Sequence, residues 1–72
     1  MPAKKYLTRK VIVERPGKER ETFGLSIVTV EDRRVHVRPF EREEAGVEAI
    51  DSMVEIHYGL DGNVTEVCGI TG

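Results

Sequence analysis

The sequence predicts a mostly β domain, a small five-stranded antiparallel barrel with at most one short helix near residues 40–46. Three observations predict it. Apolar residues alternate over residues 6–14, 21–30 and 34–40, the period-two pattern of half-buried strands. Turn chemistry punctuates the chain at Arg15-Pro16-Gly17-Lys18 and again at Leu60-Asp61-Gly62-Asn63. The single helical candidate is seven residues long, too short to persist without tertiary contacts. With 72 residues, 39% of them hydrophobic and 33% charged, the chain has the content of one compact domain and not the composition of disorder.

Residues 1–5 read as a flexible N-terminal arm and residues 6–70 as the barrel. In the first strand, residues 6–14, Leu7, Val11 and Val13 share one side, and Tyr6, Thr8, Lys10 and Ile12 the other. Pro16 presets φ for the first corner of a type II turn, and Gly17 supplies the positive φ of the second. Residues 21–30 form the second strand. Phe23, Leu25 and Ile27 are in phase before the apolar pattern slips to Val28 and Val30, which predicts a β-bulge near Ile27-Val28. A polar turn, Glu31-Asp32-Arg33, leads to the third strand, residues 34–40, with Val35 and Val37 inward and Arg34, His36, Arg38 and Phe40 on the opposite face. Pro39 ends its pairing, having no N–H to donate. The candidate helix follows, with acids in its first turn and Gly46 at the C-cap position.

A hairpin over residues 53–70 closes the chain, and two registers compete for it. A two-residue Asp61-Gly62 turn pairs Ile56 with Val67 and His57 with Glu66. A three-residue loop with Asn63 in the left-handed region pairs Leu60 with Val64, Ile56 with Cys68 and Val54 with Ile70. The second places three apolar pairs on one face, at roughly 0.2–1 kcal/mol per pair, and is preferred. It predicts Val54, Ile56, Tyr58 and Leu60 inward, with Glu55 and His57 outward. The order of five strands with a helix or loop between the third and fourth suits an OB-like barrel, with an SH3-like barrel as the alternative.

Charge is the strongest compositional signal. All eleven Lys and Arg lie between Lys4 and Arg42 against six acids, a balance of +5, whereas residues 43–72 hold seven acids and no base, −7. Guanidinium groups interleaved with aromatics are what a groove for single-stranded nucleic acid uses. The candidate contact residues are Tyr6, Arg9, Lys10, Arg34, His36, Arg38 and Phe40, with Lys4 and Lys5 able to extend the face. The same asymmetry also suits a protein-interaction domain, self-associating through complementary charge or exposed edge strands. A homo-oligomer is therefore a second expectation, and the overall pI of about 5.6 weighs against a nucleic-acid domain.

No catalytic residue, cofactor or metal is expected. His36, His57 and Cys68 are donor types, but their spacing matches no standard site, and the preferred register sends His57 and Cys68 to opposite faces. Cys68 has no base at identifiable range, and a lone cysteine cannot form an internal disulfide. No apolar run approaches the roughly 18 residues of a membrane span, and the N-terminus lacks that of a signal peptide. The expectation is a cytoplasmic, non-enzymatic binding module.

Overall fold

The computed structural model describes residues 3–32 and 34–70. They form eight strands and no helix: β1 (Lys4–Thr8), β2 (Val11–Glu14), β3 (Glu21–Phe23), β4 (Ser26–Val30), β5 (Val35–Pro39), β6 (Val47–Ala49), β7 (Val54–Tyr58) and β8 (Val64–Cys68). Two four-stranded sheets result, sheet A in the order β5-β4-β1-β6 and sheet B in the order β3-β2-β7-β8. None of these strands is part of a helix long and apolar enough to cross a membrane, and no such helix occurs among the described residues.

Five expected strands become eight because the two longest each break in two where they pass from one sheet to the other and Val47–Ala49 adds a strand that was not expected. β1 and β4 pair from Lys4↔Val30 to Thr8↔Ser26, and β2 and β3 continue at the same offset from Val11↔Phe23 to Val13↔Glu21. This is one hairpin, interrupted at Arg9-Lys10 and Gly24-Leu25. Its turn forms as the sequence predicts: the Lys18 N–H donates to the Arg15 carbonyl at 3.2 Å and Gly17 has φ 72°. Strand pairing begins at Lys4, inside the segment expected to be an arm; Met1 and Pro2 lie outside the described residues, as does Arg33 of the predicted turn.

The break inverts the alternation. Before it Tyr6 and Thr8 are buried; after it Val11 and Val13 are, so the inward phase moves from even to odd positions. Thr8 holds the corner, its hydroxyl donating to the Ser52 carbonyl at 2.8 Å. The predicted bulge at Ile27-Val28 is therefore corrected: the ladder is unbroken from Ser26 to Val30, and the interruption lies at Gly24-Leu25. Phe23 and Leu25, expected inward, are 40% and 48% exposed.

A second correction concerns strand direction. β6 and β7 run parallel beside β1 and β2, with Lys5↔Val47 and Leu7↔Ala49 in sheet A and Val11↔Val54 to Glu14↔His57 in sheet B. The sheets are mixed, not antiparallel, and no closed barrel forms among the described residues. Residues 40–46 are not helical. Seven residues carry too few internal hydrogen bonds to stand alone, and Glu44 is drawn instead to Lys5 and Arg38 on the outer face of sheet A.

The core lies between the sheets. Val11, Val13, Val54 and Ile56 of sheet B meet Val28 of sheet A, with Val30, Val35, Val37, Tyr58, Val64, Val67 and Ile70 packed around them. Val35 and Val37 face inward as expected.

Candidate functional site

The residues predicted to contact nucleic acid do not converge. Tyr6 is 8% exposed and faces the core, so the base-stacking role assigned to it does not fit its placement. Arg9 and Lys10 are exposed at the break beyond β1, and Arg34 is exposed immediately before β5. His36 and Arg38 lie opposite Thr29 and Ile27, on the outer face of sheet A that Lys5 and Leu7 share. Phe40 is half-buried and borders a groove with Leu7, Ile27 and Val47. Only His36 and Arg38, joined by Lys5, form a common basic surface.

That surface is already partnered. Glu44 accepts from Lys5 Nζ at 3.3 Å and from Arg38 Nη2. The Arg38 hydrogen bond holds its carboxyl below the ordinary value against an opposing effect of burial, and Lys5 lowers it further. His57 Nδ1 approaches Glu14 Oε2 at 3.3 Å, and Glu14 Oε1 accepts from Arg20 Nη2 at 2.8 Å. Lys5–Glu44, Arg38–Glu44 and Glu14–His57 each join a residue of the basic half to one of the acidic half. Two of the eleven cations are thus met by an acid from the other half, which offsets part of the charge separation in the sequence.

The closing hairpin gathers donors instead. Its body pairs Glu55↔Cys68, Ile56↔Val67 and His57↔Glu66, the register set aside on sequence grounds. A three-residue loop and a bulge are both present, but moved. Gly59 accepts from the Gly62 N–H at 3.1 Å and donates to Asn63 at 2.8 Å, so the loop is Leu60-Asp61-Gly62, with Gly62 and not Asn63 at positive φ, 83°. Glycine takes the left-handed region without the Cβ clash that asparagine bears. Leu60, expected inward, becomes a loop corner and is 94% exposed. Asp61 braces the turn, accepting from the Asn63 N–H at 3.1 Å, and this bond holds its carboxyl below the ordinary value.

The pairing slips by one residue between His57 and Tyr58, leaving Thr65 as the extra residue; its hydroxyl donates to the His57 carbonyl at 3.2 Å. This bulge and the left-handed Gly69, φ 97°, each reset the alternation. Val64, Val67 and Ile70, three apart, can then all pack on the core. Burial of the apolar residues, which motivated the other register, is achieved by kinks.

The consequence is chemical. In the observed register His57, Glu66 and Cys68 project from one face of β7 and β8, and a ligand atom from each lies within 4.8 Å of the others. Glu55, opposite Cys68, shares that face. Glu66 hydrogen-bonds the Cys68 thiol and pushes its pKa up, aided by burial and by the charges of Glu66 and Glu55. Sequence reasoning missed this grouping because one residue of register exchanges the faces of a strand; the preference of glycine for positive φ was the signal that could have found it. The chain matches no known protein family, no curated protein and no solved structure.

Proposed function

We propose that the chain is a non-enzymatic protein-interaction module that self-associates by docking a second copy along the seam between β3 and β5. The observation that carries this reading is a groove of about 230 Å³ where the sheets fail to close, lined by Val13, Phe23, Val35, Val37 and Tyr58 with Arg15, Glu21 and His36 at its margin. Both strands beside it are sheet edges, and edge backbone is a template for strand addition. Among the described residues eight apolar side chains are buried against four large ones exposed, and no disulfide is available to the single cysteine. Small domains with so slender a core commonly gain stability by oligomerisation.

Sedimentation equilibrium over a concentration series tests it. The wild-type chain should associate, and Phe23→Lys, which places a charge in the seam at little cost to the core, should be monomeric with an unchanged far-UV circular dichroism spectrum. A wild-type monomer at the highest concentration would end the proposal. Labelled single-stranded DNA and RNA, titrated at low and moderate salt, separate the other reading. Arg9, Lys10 and Arg34 have no ion-pair partner among the described residues, and salt-sensitive binding lost on Arg9→Ala and Lys10→Ala would favour nucleic acid over a second copy.

A further inference from the structure

We infer that His57, Glu66 and Cys68 constitute a three-ligand site for a borderline divalent transition-metal ion of the zinc class, built on the outer face of the closing hairpin. Imidazole nitrogen, carboxylate oxygen and thiolate sulfur are the donor set that zinc accepts, and three protein ligands leave a fourth position for water. A harder ion such as magnesium or calcium takes oxygen and has no use for the sulfur.

The ladder supplies the placement. His57 and Glu66 are direct cross-strand partners, and Cys68 lies two residues along β8 from Glu66 on the same face. Direct partners have Cβ atoms roughly 4.5–5.5 Å apart and diagonal ones somewhat more, so the three side chains reach a common point without any backbone rearrangement. Ligand atoms in a tetrahedral zinc shell stand roughly 3.3–3.6 Å apart, given metal–ligand bonds near 2.0–2.3 Å. The observed grouping, within 4.8 Å, closes to that shell by about 1 Å of side-chain rotation. Binding replaces the thiol proton of Cys68 with the metal, and the proton leaves to solvent.

The surroundings fit a cation. Glu14 Oε2 stands 3.3 Å from His57 Nδ1, which leaves Nε2 as the coordinating nitrogen and makes Glu14 a positioning residue of the carboxylate–histidine kind. Arg20 in turn fixes Glu14, through Nε at 2.9 Å and Nη2 at 2.8 Å. Glu55 adds a further negative charge on the same face.

Cobalt titration of the untagged 72-residue chain tests the site, because a cobalt–thiolate charge-transfer band reports sulfur ligation directly. The band should saturate at one Co²⁺ per chain and be displaced by Zn²⁺. Cys68→Ser should abolish it, and His57→Ala and Glu66→Gln should each weaken binding at least tenfold. Glu14→Ala should weaken it roughly 10–100-fold without moving the band, as expected of a residue that orients a ligand and does not supply one. Absence of the band at millimolar Co²⁺, unchanged affinity in both His57→Ala and Glu66→Gln, or one ion per two chains would overturn the intrachain site. Should a variant unfold, amide chemical-shift changes on adding Zn²⁺ to the wild-type chain decide instead: they must centre on His57, Glu66 and Cys68.

Discussion

The outer faces of the two sheets are built from the same kind of ladder yet dispose of their polar groups in opposite ways. On sheet A, Lys5 and Arg38 project from β1 and β5, and a loop residue, Glu44, reaches over to take both. One carboxylate thus answers two cations on that face. On sheet B, His57, Glu66 and Cys68 project from two adjacent strands toward one another, and Arg20, which reaches Glu14 beside His57, is occupied there. A ladder alone brings donors together, whereas a loop crossing a ladder tends to satisfy what the ladder presents. The basic half of the chain therefore keeps unpaired cations scattered, among them Arg9, Lys10 and Arg34 of the described residues, and the acidic hairpin, expected to be mere support, holds the convergent donors.

Substitutions at four positions test how the two faces are held. The largest effect should come from Gly69→Ala. A Cβ there would stand 2.0 Å from the Met53 carbonyl oxygen, on backbone at φ 97°, so both a collision and left-handed strain oppose it. We expect a loss of about 3 kcal/mol or more in urea unfolding, with hydrogen exchange accelerating in β7 and β8 before β1 and β4. Equal acceleration in both sheets would show that the two faces are not independently held.

Next in size is Gly62→Ala, expected to cost about 1–2 kcal/mol and to favour the register in which Asn63 turns left-handed. Nuclear Overhauser contacts between Ile56 and Cys68 should then replace those between Ile56 and Val67, and His57 should part from Cys68. If Ile56–Val67 contacts persist, the register is held by core packing and not by the turn.

On sheet A, acid should be the sensitive variable. The carboxyl of Glu44 sits below its ordinary value of 4.5, chiefly through Arg38. Its contribution to stability is thus complete above pH 4.5 and is lost as pH falls through the lower folded value. Glu44→Gln should flatten the stability profile in that window and leave neutral-pH stability little changed; an unaltered acid limb would mean that the ion pairs are only incidental. The smallest effect should be that of Leu60→Ser, within about 0.5 kcal/mol, since Leu60 is 94% exposed. A loss larger than that would place Leu60 in an intermolecular contact.

Local rules made much of the fold legible. Pro16-Gly17 marks the first turn, Val35 and Val37 mark the inner face of β5, and Val54 and Ile56 mark that of β7, because turn φ preferences and period-two alternation act over a few residues. At Tyr6, Leu25, Leu60 and the pairing of residues 56–68, simple alternation does not hold because a kink intervenes. Each kink, at Arg9-Lys10, Gly24-Leu25, Thr65 and Gly69, shifts the phase by one residue and sends every later side chain to the other face.

That this chain is mostly β, and how its first hairpin turns, were legible in the sequence, since those follow from steric and hydrophobic preferences of neighbouring residues. Only tertiary structure decided that β6 and β7 run parallel to β1 and β2, that Glu44 cancels Lys5 and Arg38, and that His57 meets Cys68. Those outcomes depend on which remote strands bury each other's faces, a choice made by packing between segments forty residues apart and invisible to any local pattern.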